Sequence, residues 1–484
     1  MPNDLREFIA LLEERDELRR VAVEVDAALE ITEITDRISK GPASANKALL
    51  FENVRGSRVP LLINAFGSAD RMAWALDVEH LDQLGERLRN LLSLDMPRSL
   101  PDKLRRAFEL LPLARIGPKV VSQGACQQVV ETDRPSLSAL PILKCWPQDG
   151  GPYITLPQVI SRDPSTGRRN VGMYRLQVFD DRTLGMHWQL HKGGADHQRI
   201  AEARGEQRLE VAVALGGDPA AIYAASAPLP PDIDEYLLAG WLRGKPVELV
   251  RCVTVDLEVP ADSEIVLEGY VDPTERCVEG PFGDHTGYYS LAEPYPVFHL
   301  TAVTHRQDPI YPATVVGRPP MEDYWLGKAT ERLFLPLIQM LLSEVTDINM
   351  PPEGVFHNLV IVSIQKQYPG QAHKVMYGLW GMGLMMLAKH IIVVDADVNV
   401  HDTSEVAWRV ANNIDVKRDL VIAEGPVDAL DHASPWPHFG GKLGIDATRK
   451  GPADGHTRRW PPDILMDKEI KALVDRRWQA YGLD

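Results

Sequence analysis

The middle of this 484-residue chain is rich in strands and poor in helices, and this limits the folds open to it. Turn residues separate β-rich runs through residues 116–318. The runs are 129–130, 209–215, 247–259, 264–271 and 297–304. The one clear helix among them begins at Glu235. Because crossover helices are scarce, the pattern predicts a mostly antiparallel sheet or a partly open barrel.

The segments on either side alternate between helix and strand. Leu5, Phe8, Ile9 and Leu12 recur at helical spacing. A strand is predicted at 21–25, and helical patterns fill 69–110. After 317–320 (GRPP) a long helix over 324–342 precedes a βαβ rhythm in the remainder. We therefore predict an α/β (α+β) chain with an N-terminal unit (1–115), a β-rich domain (116–318), a linker helix (319–345) and a C-terminal α/β domain (346–484).

Composition excludes several classes of function. The hydrophobic fraction of 44% and charged fraction of 25% are those of a globular protein. The net charge of −16 argues against a nucleic-acid surface. Four scattered cysteines without metal-binding spacing indicate a reducing compartment. With no signal-peptide pattern at the N-terminus, we expect a cytoplasmic protein.

The segment 279–289 (EGPFGDHTGYY) is the strongest candidate for chemistry. Glu279 and Asp284 stand five residues apart, with Gly and Pro between them fixing an irregular backbone. On such a backbone both carboxylates can point inward and acquire shifted pKa values. The alternative is a structural turn between two strands. Arg175 is a candidate partner, because a guanidinium stays charged and can grip carboxylates bidentately.

A second set of polar residues is compatible with a cation or a phosphate. Asn170, His191 and Glu235 supply the O and N ligands that suit Mn²⁺ or Mg²⁺, and Lys442 would add a charge for a phosphate. Each also has a plain structural interpretation: a turn residue, a loop histidine and an acid favoured at a helix start. The sequence has no GxGxxG, Walker A, HExxH or GxSxG pattern.

Along nearly its whole length the chain resembles the UbiD family of reversible decarboxylases, and within it the branch with the polyprenyl-hydroxybenzoate decarboxylase of ubiquinone synthesis. The matching blocks are 3–8, 29–37, 48–53, 145–147, 264–270, 279–289, 317–320 and 351–354. The resemblance implies a split β-barrel domain that binds prenylated FMN and a C-terminal domain used in oligomerisation. It also implies Mn²⁺ (or Mg²⁺) and K⁺ near the flavin phosphate.

The resemblance assigns roles to individual residues. Arg175, Glu279 and Asp284 match the catalytic network of the family, in which some members have Glu in place of Asp284. Asn170, His191 and Glu235 fall at the metal ligands. The cofactor-contacting positions are Met173, Tyr174, Arg175, His187, Trp188, Gln189, His191, Lys192, Gly193, Ser226, Pro228 and Lys442.

The activity implied is non-oxidative (de)carboxylation of an aromatic or α,β-unsaturated acid, with the cofactor as electron sink. Arg175 would position the carboxylate, Glu279 would orient Arg175, and Asp284 would protonate the carbon. The substrate alternatives are a polyprenyl hydroxybenzoate, which would need peripheral contact with a membrane, a smaller aryl or heteroaryl acid, and an aryl-CoA thioester. A flavin-binding module without decarboxylase activity is the rival function. A flavin prenyltransferase is expected as cofactor supplier, and a dimer or hexamer as the assembly.

Overall fold

A computed structural model describes residues 2–92, 116–230 and 233–483 of the chain. Its helices are α1 (Leu5–Glu14), α2 (Glu30–Lys40), α3 (Ala69–Ala75), α4 (Asp82–Leu92), α5 (Gly193–Ala203), α6 (Pro219–Ala224), α7 (Glu235–Arg243), α8 (Asp323–Leu341), α9 (Gln371–Trp380), α10 (Thr403–Asn413) and α11 (Lys468–Arg477). The strands are β1 (Leu18–Val21), β2 (Ala48–Phe51), β3 (Leu61–Ile63), β4 (Lys119–Val121), β5 (Val129–Glu131), β6 (Tyr153–Ile154), β7 (Pro157–Arg162), β8 (Arg169–Gly172), β9 (Leu176–Val178), β10 (Thr183–Met186), β11 (Leu209–Leu215), β12 (Glu248–Arg251), β13 (Glu258–Pro260), β14 (Ile265–Glu279), β15 (Glu293–His305), β16 (Tyr311–Pro312), β17 (Val345–Asn349), β18 (Leu359–Ile364), β19 (His390–Asp395), β20 (Leu420–Pro426) and β21 (Phe439–Asp446).

The N-terminal unit is a small sheet covered by helices, as the alternating pattern predicts. Its strand order is β1-β2-β3-β16, so the last strand comes from residues 311–312. α1 buries the four apolar residues that recur at helical spacing, and Asp4 caps it by accepting from the N–H groups of Arg6 and Glu7. The strand predicted at 21–25 is wrong: β1 ends at Val21, and Val23 is 68% exposed. Helical patterns are predicted over 69–110, and residues 93–110 of that range lie outside the described residues.

The middle of the chain is dominated by one open sheet of nine strands, in which every strand pair is antiparallel. Its path runs β6-β9-β10-β15-β14-β11-β7-β8, with β5 paired to β15. None of the sheets in the described residues closes into a barrel. β14 and β15 are 15 and 13 residues long, and together they carry the predicted site segment at the end of β14. The prediction of a largely antiparallel, partly open β structure is confirmed.

Two helices in this region are absent from the sequence-based description. α6 has six residues, begins with Pro219 and is capped by Asp218, whose carboxylate accepts from the Ala220 N–H at 2.8 Å. α5 begins at two glycines, which mask a helical pattern. The predicted helix at Glu235 is present as α7.

A 19-residue helix, α8, leads from the middle of the chain to the C-terminal sheet, as predicted. It packs so closely on α4 that a Cβ added at Gly85 would lie 2.6 Å from the Arg332 carbonyl oxygen. The C-terminal sheet has the order β17-β18-β19-β21-β20, with β18, β19 and β21 parallel and the two edge strands antiparallel. The predicted α/β alternation is therefore confirmed.

The last helix, α11, lies apart from these cores. None of its residues is buried, and Ile464 and Leu465 before it are 103% and 77% exposed. No helix in the described ranges is long and apolar enough to cross a lipid bilayer.

Candidate active site

Arg175 lies between two buried carboxylates in the connection from β8 to β9. Its Nε donates to Glu279 Oε1 at 2.8 Å and its second terminal nitrogen to Glu279 Oε2 at 3.2 Å. The other terminal nitrogen forms an ion pair with Asp284 Oδ2. Ser290 Oγ, at 3.1 Å, and the Phe282 ring, 4.6 Å from the guanidinium carbon, complete its surroundings. The structure thus brings together the three side chains predicted as the catalytic network.

The loop that carries Asp284 is fixed by buried polar groups from neighbouring strands. Gln177 Oε1 accepts from the Gly280 N–H at 2.7 Å and from the Tyr153 hydroxyl at 3.0 Å. Asp149 Oδ1 accepts from the Gly283 N–H at 2.8 Å. Gly280 has φ +102°, a conformation that L side chains rarely adopt. The backbone between Glu279 and Asp284 is therefore held at Gly280 and at Gly283.

Trp146 supports the same loop from the outside. Its indole N–H donates to the Val316 carbonyl at 2.8 Å. A Cβ at Gly283 would lie 2.2 Å from the indole ring, and a Cβ at Gly317 would lie 2.7 Å from it. Both glycines are therefore required by the close approach of the ring.

The two acids are ionised in this arrangement. Burial opposes the charge of Glu279, but the His187 hydrogen bond and Arg175 outweigh it and lower its pKa to about 2. Burial likewise opposes the charge of Asp284, whose pKa is nevertheless held well below its ordinary range by Arg175 and His285. The pKa of Arg175 is raised, since the two carboxylates outweigh its own burial. The balance between burial and charge, which the sequence leaves open, thus favours the carboxylate form of Asp284.

His187 contacts the far side of Glu279. Its Nδ1 lies 2.9 Å from Glu279 Oε2, and its ring packs on Tyr295 with centroids 4.1 Å apart. Burial and the Arg175 charge lower the pKa of His187, so the neutral ring donates its Nδ1–H to the carboxylate. Glu279 is thereby held by an arginine and a histidine together.

The predicted metal ligands lie around the start of α5 and α7. Glu235 Oε2 accepts from the N–H of Val171, the residue after Asn170, at 3.0 Å. The Asn170 side chain lies against Gly193, where an added Cβ would come within 2.0 Å of its oxygen. Burial raises the pKa of Glu235 to about 7. Asn170 and Glu235 are therefore neighbours, and α5 begins beside them.

His191 is exposed and lies further out. Its ring faces that of His438, with centroids 6.0 Å apart. Within residues 2–92, 116–230 and 233–483, no group of three or more His, Cys, Asp or Glu side chains is placed to hold a metal. The predicted set contains only two such residues with an asparagine, and the metal site stays a prediction.

Several of the predicted cofactor positions lie beside Asn170 and the start of α5, and together they form the candidate cofactor site. The Tyr174 hydroxyl lies 3.4 Å from both Asn170 Nδ2 and the Gly194 N–H. The Met173 N–H donates to the Ala225 carbonyl at 2.8 Å, which places Met173 beside Ser226 and the turn through Pro228. The backbone carbonyl of Gln189 accepts a hydrogen bond from the Lys192 N–H at 3.0 Å.

Lys442 lies instead in the C-terminal sheet. Its ammonium group donates to the carbonyls of Met386 at 2.6 Å and Ala388 at 2.8 Å. Burial lowers its pKa to about 8. These two carbonyls occupy two of the three ammonium donors, so one donor is left with which Lys442 could contact a phosphate.

The groups at the candidate cofactor site suit an anionic, conjugated cofactor. Trp188 is buried, and its indole N–H has no hydrogen-bond partner in the described chain. Lys192 stands at the N-cap of α5, where the Gly194 N–H contacts the Tyr174 hydroxyl and the Ala195 N–H donates to the Lys192 carbonyl at 3.0 Å. A helix N-terminus and a lysine favour a phosphate, and an orphaned indole N–H favours a polar ligand atom. The residues present therefore fit a flavin mononucleotide.

Several residues of the site were not singled out from the sequence, among them Trp146, Gln177, Phe282, His285 and Ser290. Three of them belong to the segment 279–290 and could have been found by treating the whole loop as a unit. Trp146 lies in one of the blocks that carry the family resemblance. No sequence signal marks Gln177, because its role depends on the contact between its strand and the loop that begins at Gly280.

Comparison with family models covers most of the chain. A UbiD N-terminal domain matches residues 9–88, the 3-octaprenyl-4-hydroxybenzoate carboxy-lyase Rift-related domain matches 119–319, and the C-terminal domain matches 324–447. An uncharacterized protein of Archaeoglobus fulgidus is 54% identical over 98% of both chains.

Solved structures match at similar length. The UbiD-class enzyme HmfF from Pelotomaculum thermopropionicum, in complex with FMN, is 32% identical with a TM-score of 0.79 over 95% of this chain and 97% of its own. An evolved dimeric form of HmfF in complex with prFMN gives a TM-score of 0.78, also at 32% identity over 95% of this chain and 97% of its own. Vanillic acid decarboxylase from Sedimentibacter hydroxybenzoicus, in closed form, is 28% identical with a TM-score of 0.85 over 100% of both chains.

The fold and the buried acid–arginine–acid group define a carboxy-lyase of the flavin-dependent decarboxylase class. This chain belongs to the UbiD family. The matches establish the family, whereas the polyprenyl-hydroxybenzoate branch within it stays a prediction.

Proposed function

We propose that this protein catalyses reversible, non-oxidative decarboxylation of an aryl or α,β-unsaturated carboxylic acid with prenylated FMN. The observation that carries the proposal is Arg175, which is held bidentately by Glu279 and paired with Asp284, with each of the three side chains at most 10% exposed. When bound, prenylated FMN supplies the electron sink for the carbon that loses CO₂. The protein supplies the binding of the carboxylate and the proton.

Arg175 would bind the substrate carboxylate. Two of its donors are committed to Glu279, so the guanidinium plane is fixed before substrate arrives. The terminal nitrogen that faces Asp284 is the part free to change partner. A substrate carboxylate that engages this nitrogen would weaken the hold of Arg175 on Asp284.

Asp284 would handle the proton. Decarboxylation leaves electron density on carbon that takes up one proton, and the carboxyl nearest to Arg175 on the side away from Glu279 is Asp284. In the reverse direction its carboxylate would remove the proton from the substrate. Glu279 is held by both Arg175 and His187, so it would orient rather than transfer protons.

The residues of the candidate cofactor site would bind the cofactor. Lys192 and the N-terminus of α5 would contact its phosphate, and Trp188 and Tyr174 would contact its rings or linker. Asn170, His191 and Glu235 would hold Mn²⁺ or Mg²⁺ beside that phosphate, with K⁺ close by. The support is the proximity of Asn170 and Glu235 to the start of α5.

The substrate we propose is a small aryl acid. The support is the full-length match to a vanillic acid decarboxylase. A polyprenyl hydroxybenzoate of ubiquinone synthesis, a heteroaryl acid and an aryl-CoA thioester are the competing substrates to be tested beside it.

The test is an activity screen of protein co-expressed with a flavin prenyltransferase. Vanillic acid, a heteroaryl acid, a polyprenyl hydroxybenzoate and an aryl-CoA thioester are each incubated with the purified holoenzyme, and released CO₂ is measured. We expect CO₂ from at least one acid, and none from protein loaded with unmodified FMN. A holoenzyme that carries prenylated FMN but neither releases CO₂ nor exchanges ¹³C-bicarbonate with any acid would contradict the proposal.

We also propose that the chain forms a homo-oligomer. The support is the exposed apolar surface of the last residues, where Leu465 and Leu483 are 77% and 67% exposed and α11 has no buried residue. Such a surface is costly in an isolated monomer and is covered when a second copy binds.

A further inference from the structure

The ionisation of Asp284 leaves the source of the proton unexplained. A carboxyl whose pKa is held well below its ordinary range carries no proton at neutral pH. Both of its oxygens already accept from charged or polar donors: Oδ2 contacts Arg175, and Oδ1 accepts from the His285 backbone N–H at 2.7 Å. The proton delivered to the carbon must therefore be held by another group until substrate arrives.

His285 is the titratable group hydrogen-bonded to Asp284 Oδ1, the oxygen that does not contact Arg175. Its Nδ1 lies 2.8 Å from Asp284 Oδ1, and the ring is buried. Glu279 and Asp284 bring two negative charges to this pocket, whereas Arg175 brings one positive charge. A protonated His285 restores neutrality to the group.

The other side of the His285 ring faces the linker helix and the C-terminal domain. Phe356 and His357 lie with ring centroids 5.2 Å and 6.3 Å away, and the acidic groups on this side are Asp323 at the start of α8 and Asp428. The ring atom on this side, Nε2, is buried and has no hydrogen-bond partner among the described residues.

The charges around the ring favour its protonated form. Burial disfavours the imidazolium, but Asp284, Asp323 and Asp428 raise the pKa of His285 above its ordinary value. The pKa of the neighbouring His357 is lowered by burial and by the charges of His285 and Lys442, although Asp428 opposes this shift. Asp323 is only partly ionised at neutral pH, since burial raises its pKa to about 7.

We propose that His285 stores the proton that Asp284 delivers to the product carbon, an inference that rests on the proposed decarboxylation. In the resting site His285 is imidazolium and Asp284 is carboxylate. When the substrate carboxylate engages Arg175, the Nδ1 proton of His285 passes to Asp284 Oδ1. Asp284 then gives this proton to the carbon that lost CO₂ and returns to carboxylate, and the neutral imidazole regains a proton from water after product leaves.

This arrangement reconciles a strongly ionised carboxylate with a role as acid. Arg175 lowers the basicity of Asp284 until the substrate competes for the guanidinium, so the proton moves only when substrate is bound. In the carboxylation direction the same steps run backwards, and His285 accepts the proton taken from the substrate. His285 acts through Asp284 and is a positioning and proton-storing residue.

His285→Asn separates proton storage from hydrogen bonding. The Asn amide can still donate to Asp284 Oδ1, but it cannot be protonated. His80→Asn, an exposed change in the N-terminal unit, is the matched control. We expect the pH profile of CO₂ release from vanillic acid, or from the best acid of the screen, to lose its alkaline limb in His285→Asn. We also expect a fall in kcat of about 10²-fold or more, with the flavin absorbance spectrum and His80→Asn unchanged.

A second readout does not depend on activity. In protein labelled with ¹⁵N-histidine, the His285 signal is assigned by its absence in His285→Asn and titrated without substrate. We expect its pKa above the ordinary value of about 6.5, and a lower pKa in Asp284→Asn. A His285 that is neutral at about pH 6.5, or an unchanged pH profile in His285→Asn, would overturn the proton-storage proposal. A raised His285 pKa in a holoenzyme that releases no CO₂ would instead overturn the proposed function.

Discussion

Arg175 and Glu279 share two parallel N–H···O contacts of 2.8 and 3.2 Å, although 104 residues separate them. Glu279 is the last residue of β14, and Arg175 lies in the connection between β8 and β9. The antiparallel sheet that contains β8, β9 and β14 brings these two positions together. The fork of the guanidinium is thereby aimed before any ligand binds.

Replacing Arg175 with Lys keeps a positive charge but removes the fork. An ammonium group makes single, freely rotating contacts and cannot hold Glu279 bidentately while binding a carboxylate. We expect kcat/KM for the best acid of the screen to fall by about 10²-fold or more, with the far-UV circular dichroism unchanged. Arg182→Lys, at an exposed position, is the control and should retain activity. Comparable activity in Arg175→Lys would show that the bidentate contact is not needed.

Glu279 should make stability depend on acid pH. Its pKa falls from 4.5 to about 2 on folding, so the ionised acid stabilises the fold fully above about pH 4.5, and this contribution is lost as pH falls toward 2. The contribution is on the order of 3 kcal/mol. The free energy of unfolding in urea should therefore differ most between the wild type and Glu279→Gln at neutral pH. This difference should become smaller below about pH 4.5. A difference that is constant with pH would contradict an ionised, paired Glu279.

The sequence predicts elements with strong local periodicity well. The helical spacing of the apolar residues from Leu5 to Leu12 correctly predicts α1. The strand predicted over 209–215 has the same first and last residues as β11. α6 was missed because six residues held by tertiary packing carry too little periodic signal. The strand predicted at 21–25 failed because alternating valines predict a strand only where one face is buried, and Val23 is exposed.

The candidate site divides in the same way. Residue type and spacing mark Glu279 and Asp284, the chemistry of the guanidinium makes Arg175 a candidate partner, and the family resemblance assigns the three residues to one network. The direction of the Asp284 pKa could not be predicted, because it depends on burial and on distances to Arg175 and His285. Gln177 was missed because its contact with the Gly280 N–H depends on how two distant strands lie side by side.

Gly283 should tolerate no side chain. A Cβ would come within 2.2 Å of the Trp146 ring, which is itself held by the Val316 carbonyl. We expect Gly283→Ala to lower the free energy of unfolding by about 1–3 kcal/mol and to reduce kcat by moving Asp284. Gly441→Ala is the control, since no atom lies within 4 Å of its added Cβ. Equal stability of the two variants would mean that the loop is not packed as described.

The C-terminal residues should govern assembly rather than folding. No residue of α11 is buried, whereas Asp463 pairs with Arg409 and Arg449 and must be kept. We expect the full chain to be an oligomer by light scattering and a chain ending at Asp467 to shift to lower mass. Its thermal unfolding, measured at matched low protein concentration, should change little. An unchanged mass would place the contact between copies elsewhere.

The central claim is that Asp284 transfers the proton while Arg175, oriented by Glu279, holds the substrate carboxylate. The most direct test is exchange of solvent deuterium into the product C–H bond that replaces the carboxylate of the best acid of the screen, by holoenzyme with and without Asp284→Asn. We predict that Asp284→Asn binds prenylated FMN with an unchanged absorbance spectrum and loses exchange by about 10²- to 10⁴-fold. Full exchange activity in Asp284→Asn with cofactor bound would contradict the account.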